Sequence, residues 1–403
     1  MRIASAVNPA ALAAAACLVW PGTASALVDL VINVDCASGA SLGQALGRPT
    51  LFDRRLVLVV SGTCSENATI ARDDVVVRGA AGGGVAPTDL TRPAILVDGA
   101  RRVTLENLVV TGGHDGVRIT GGGSATIRGA TVRNAVVNGV RVDNSASARV
   151  EGSLLEGNGQ YGIAANGSTA TVVGSTVRNN NYSGVVAASG GELTLGQIDD
   201  AGNGCCGNTI EGNRLDGVTV ARAASARLYG NVVQNNGTTT NRWGVLSVEQ
   251  SLVWLEGGNV VRGNGGQNGG GGAFVRASSL RAGTGDQPVI PSSNEISGNF
   301  TGIATQTANL DLRGGLLVAG NRQNGITVEQ GSRLRSEGST ITGNIGSGIF
   351  VIFASGVHFQ NAITNVTNNG QFGLTCVDAG SRFSGNTAGI VNNAAGNVNC
   401  TPF

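Results

Sequence analysis

The sequence predicts an all-β solenoid, a parallel β-helix with coils of about 22–30 residues and a short capping helix near its N-terminus. Three observations predict it. Glycine is dense, with 65 among 403 residues and no Gly-X-Y period, while aromatic residues are only 4%. A Gly-aliphatic pair recurs about every 23 residues, and an Asn element precedes it at fixed phase.

The Gly-aliphatic pair stands at Gly116, Gly139, Gly162 and Gly184, an almost constant interval. It continues at Gly217, Gly244, Gly272 and Gly302 with longer intervals, then returns to the short one at Gly325, Gly348 and Gly373. The following residue is apolar every time, from Val117 and Val140 to Ile349 and Leu374. Most residues two further on, such as Ile119, Val142 and Val328, are apolar or small too. Alternation of this kind is the mark of a strand with one buried face.

The second element is aliphatic-x-(Gly or Asn)-Asn, ending at Asn158, Asn180, Asn213, Asn236, Asn264, Asn299, Asn321, Asn344, Asn369 and Asn386. A repeat this short cannot bury its own apolar face, so successive copies must stack. Val, Thr, Gly and Asn favour strands and tight bends over helix, which sets aside helical repeats, and the leucine density of leucine-rich repeats is absent. About eleven to thirteen coils, with strands roughly 4.8 Å apart, make a rod on the order of 50–60 Å long. Asn suits the repeated bend because its amide donates and accepts between coils, so these ten residues are expected to form a ladder.

On these two elements, from Leu56 to Cys400, the chain resembles the right-handed parallel β-helix repeat proteins of the pectate-lyase-like superfamily. The resemblance implies the fold. It says less about function, because that fold hosts lyases, hydrolases, epimerases, adhesins and inert spacers.

The ends need closing, since open strand edges template aggregation. Residues 1–26 read as an export signal: Arg2, an apolar run through Cys17, then the small-residue site Ala24–Ala26. Residues 27–55 form an N-terminal cap with a helix expected over Ala40–Leu46, and 56–403 form the β-helix. Six cysteines remain after the signal, an even number that favours disulfides in an exported chain. Cys36–Cys64 would pin the cap to its neighbouring strand. Cys376 and Cys400 stand about one coil apart, which stacking brings within disulfide reach. Cys205 and Cys206 are left unassigned in an excursion with Asp199 and Asp200. These two acids are the only suggestion of a Ca²⁺ site, and no other cofactor is expected.

A net charge of +1 gives no field for nucleic acid, and nothing after the signal is long and apolar enough for a membrane span. All 27 basic residues are arginine, so lysine-base lyase chemistry and Schiff bases are excluded. Polygalacturonase-like "NTD" and "RIK" and epimerase-like "DPHD" are missing. The catalytic candidates are the His114-Asp115 pair, at a bend where glycine replaces the ladder Asn, and Arg118 and Arg141, expected side by side on the outer face. Tyr161, Tyr182 and Trp243, on bends just before the glycines, are the candidate carbohydrate-binding residues. Arg133, Glu156, Arg178 and Glu211 are expected to stack as alternating charges. The expectation is an extracytoplasmic monomer that recognises or scaffolds a polysaccharide or surface glycan. The alternatives are a polysaccharide lyase or related enzyme, and an adhesive rod.

Overall fold

A computed structural model describes residues 28–49, 54–198, 204–283 and 294–403. The expected signal segment, Asp199 and Asp200 lie outside the described residues. The chain winds as a right-handed parallel β-helix of about 15 turns, with almost no helix. Each regular turn visits three sheets in a fixed sequence. A strand such as Val117–Thr120 lies in sheet C, the next, Ser124–Arg128, in sheet A, and the third, Thr131–Arg133, in sheet B. Sheet A has 15 strands and sheets B and C have 14 each. At one strand spacing per turn, the rod is roughly 70 Å long.

The rod exceeds eleven to thirteen coils because its first turns carry no marker glycine. Val28–Asp35 pairs in parallel with Arg54–Ser61, which pairs with Val75–Gly79. The stretch read as a cap therefore supplies the first strand of sheet A as well as a helix. That helix, Leu42–Leu46, buries Leu42, Ala45 and Leu46 over the end of the core. Ser41 caps it by accepting from the Gln44 N–H, and Glu66 accepts from the Leu42 N–H at 2.5 Å. Disulfides Cys36–Cys64 and Cys376–Cys400 clamp the two ends, with Cα atoms 5.0 and 4.7 Å apart.

The alternation read from sequence is the core. Val117 and Ile119, Val140 and Val142, and Ile163 and Ala165 are completely buried. Between sheets B and C runs the asparagine ladder. At Asn213 the Oδ1 accepts from the Asn180 N–H and Nδ2, and its Nδ2 donates to Val177 O and to Asn236 Oδ1. All of that amide's bonding capacity is used, as a buried amide requires. The ladder explains the marker glycines. A Cβ at Gly217 would lie 2.5 Å from Val233 Cγ1 and 2.8 Å from Asn236 Nδ2, so the packed amide of the next turn leaves room for hydrogen alone.

One rung is corrected. Asn386 is exposed, and its side chain accepts from the Ala388 N–H. The partner of Asn369 is Asn393, which receives its Nδ2 at 2.9 Å. Asn393 ends Ile390-Val391-Asn392-Asn393, the same element one full coil after Asn369, whereas Asn386 follows Asn369 too soon to complete a turn. A second ladder, Asn208–Asn231–Asn259–Asn294, runs along the turn between sheets A and B.

Candidate functional site

Every second residue of a sheet C strand points away from the core. In register these are Arg118, Arg141, Ala164, Val186, Thr219, Leu246, Phe274, Ala304, Thr327, Phe350 and Thr375. Although they face outward, Ala164, Val186, Ala304, Thr327 and Thr375 are at most 9% exposed. The column is thus the floor of a shaded trough. One of its walls is the row of bends leading from sheet B, and side chains from those bends fold over the floor.

Two aromatic pairs stand on this wall. Tyr161 and Tyr182 meet edge to face with ring centroids 5.8 Å apart. Trp243 stacks on the floor residue Phe274 at 5.0 Å and 17°. The three aromatics singled out from sequence therefore do not form one platform. They divide into two, separated by the turn that carries Asp216. Burial raises the Tyr161 phenol above its usual range, and neighbouring Tyr182 adds to this. Further along, Arg322, Gln323, Asn324, Ile345, Phe350 and Gln371 line a cavity of about 330 Å³ on the same side.

Arg118 and Arg141 do lie on adjacent rungs, but both are engaged. Arg118 Nη2 sits 2.9 Å and Arg141 Nε 2.8 Å from the same oxygen of Asp143. Burial opposes the charge on Asp143, yet the Thr120 hydroxyl and the two guanidinium groups hold its carboxyl below the usual range. His114 and Asp115 are not a hydrogen-bonded dyad. Asp115 is fully buried, accepts from the Asn138 N–H at 3.2 Å and Nδ2 at 2.8 Å, and leaves His114 Nδ1 3.6 Å away. It serves the bend in the manner of a ladder rung.

Asp216 occupies the position of Asp115 in a later turn and is not among the candidates read from sequence. It is 3% exposed. Its Oδ1 accepts from the Trp243 N–H at 2.8 Å, while Thr219, whose hydroxyl lies 2.9 Å from that of Ser183, stands 3.5 Å from Oδ2. No ion pair holds its charge among the described residues, and burial pushes its pKa up to about 6. Position supplies the missing signal: an acid directly before a marker glycine is rare in this repeat, occurring at Asp115 and Asp216 only. The sheet C strands of the adjacent turns, Val185–Ala188 and Trp243–Val248, carry no second carboxyl. Among the described residues no cluster of three or more His, Cys, Asp or Glu comes together.

The description "right handed beta helix region" belongs to the family model that matches residues 87–206. No curated protein matches the sequence. Among solved structures, the chain is similar to the A-module of the Azotobacter vinelandii mannuronan C-5 epimerase AlgE4, at 15% identity over 82% of this chain and 91% of that one, with a TM-score of 0.49. It is also similar to the periplasmic alginate epimerase AlgG, at 12% identity over 81% and 75%, TM-score 0.43. A third similarity is to the DFA-IIIase of Arthrobacter chlorophenolicus A6, at 12% identity over 92% and 99%, TM-score 0.40. At such values these likenesses describe a coiled course of the chain and nothing about the trough. Its three parallel sheets, from Val28 to Asn399, make the fold a right-handed parallel β-helix, and the family model matches part of it, over 87–206.

Proposed function

We propose that this protein recognises an extended polysaccharide along the outer face of sheet C and holds it without turning it over. The observation that carries this reading is the trough itself, a floor of small and apolar side chains overhung by the Tyr161–Tyr182 and Trp243–Phe274 pairs. Aromatic faces beside a long straight groove suit the apolar faces of sugar rings, and the rung spacing of about 4.8 Å is close to the length of one pyranose unit. Glycoside hydrolysis requires two carboxyl groups flanking one bond, and the sheet C strands on either side of Asp216, Val185–Ala188 and Trp243–Val248, hold no such companion. Two disulfides, with no membrane-crossing helix among the described residues, suit a place outside the cytoplasm.

The test is calorimetric titration of the full chain with oligomers of pectate, alginate and neutral glucans. Unsaturated-uronate absorbance and reducing ends are followed in parallel. Saturable binding that weakens in Tyr161→Ala, with no product formed, supports the reading. Product formation shows an enzyme instead, and no binding to any glycan leaves a structural rod.

A further inference from the structure

Sheet A has an outward column of its own, on a different face from the trough. Arg227, Trp254, Arg281, Asp311 and Arg335 occupy successive rungs in register. The Arg227 guanidinium lies 4.4 Å from the centre of the Trp254 ring and 3.1 Å from Glu256. Arg313 pairs with Asp311 at 3.0 Å, and Arg335 pairs with Glu337 at 3.4 Å. Of the three arginines in this column, Arg281 alone forms no ion pair among the described residues.

Arg281 makes no hydrogen bond and no ion pair among the described residues, although its Nε is shut off from solvent. A half-buried guanidinium without a partner contributes no stability to the fold, and each such group calls for an explanation. Asp311 Oδ1 is also buried without a hydrogen bond, with Arg335 Nε 3.9 Å away, so it keeps acceptor capacity beside Arg281 for a ligand that both accepts and donates. A flat fork of donors next to an indole is suited to one carboxylate on one sugar ring.

We propose that Arg281, between Trp254 and Asp311, is the anchor of a second glycan site on sheet A, specific for a carboxylate-bearing sugar. The guanidinium grips the uronate carboxylate, Trp254 supplies apolar contact to the ring, and Asp311 accepts from a ring hydroxyl. The protein then offers two separate faces to polysaccharide.

The test titrates tetragalacturonate, and its carboxyl-reduced neutral counterpart, into a Tyr161→Ala/Tyr182→Ala parent in which the trough is disabled. We expect residual binding of the acidic tetramer alone, weakened about tenfold or more by Arg281→Gln, as loss of a charge-assisted bond implies. Trp254→Ala weakens it as well. The thermal midpoint of Arg281→Gln stays equal to or above that of the parent, which separates a ligand role from a structural one. Equal binding of the neutral tetramer, unchanged affinity in Arg281→Gln, or no residual binding in the tyrosine variant each overturns the second site. The last of these leaves the trough standing. Conversely, tyrosine variants that bind like the wild type while Arg281→Gln does not would overturn the trough and keep the second site.

Discussion

The bend between sheets B and C presents two regions side by side. Its inner side is a run of identical asparagines, each bonded to the next, from Asn158 to Asn393. Its outer side, a short way on, is not uniform: Asp115, Asn138, Tyr161, Ser183, Asp216 and Trp243 hold one position in six successive turns. Stacking demands self-similarity only where a residue must bond its own copy. Where the outer residues vary, no bond from copy to copy fixes their identity along the whole row, and half-buried ones such as Tyr161 are free to serve a ligand. The difference teaches where to look in a solenoid: repetition marks what holds the coil, and departure from repetition marks what the coil carries.

The sharpest way to break that contrast is to cut the ladder. Asn213→Ala leaves the amides of Asn180 and Asn236 short of partners in a dry bend, and should cost about 3 kcal/mol in denaturant unfolding. Tyr161→Ala, on the outer side, should leave stability within about 0.5 kcal/mol.

Asp216, like Asp115, Asn138 and Ser183, is buried on the outer side, and burial there shifts its titration. Its pKa of about 6 lies above the ordinary 3.8, so the folded state favours the protonated form. This contribution is fully present below pH 3.8 and is lost as pH rises through about 6. Stability should fall by about 2–3 kcal/mol across that window from this group. In Asp216→Asn the fall disappears, while the amide still accepts from the Trp243 N–H; pH-dependent unfolding curves of the two proteins check this.

For Tyr161→Ala the expected loss is about tenfold in glycan affinity, near 1.4 kcal/mol, with an unchanged melting midpoint. The smallest effect belongs to the surface charge column. Arg178 stands 2.8 Å from Glu156 on the adjacent rung, and both are partly exposed. Arg178→Ala should cost less than about 1 kcal/mol, and less still in high salt.

The coil, its phase, both disulfides and the capping helix are legible in the sequence because stacking writes a period into it. Asn386 misleads for a reason of the same kind: its local motif "FSGN" fits, but it follows Asn369 at an interval too short for a coil to close. The stacking of Arg118 on Arg141 is legible, while their sequestration by Asp143 is not, since that acid's neighbours come from two turns. Asp216 carries a positional signal, an acid before a marker glycine, but its burial, like the want of an ion pair at Arg281 among the described residues, is not written in the sequence. A missing partner is invisible until the neighbouring turns are in place.

The most direct test of the trough is hydroxyl-radical footprinting of the full chain with and without a bound oligosaccharide. A glycan seated on sheet C protects Tyr161, Tyr182, Trp243 and Phe274 together, and leaves the side chains of sheet B as reactive as before. Protection confined to sheet B, or unchanged reactivity at all four aromatics under saturating ligand, would contradict it.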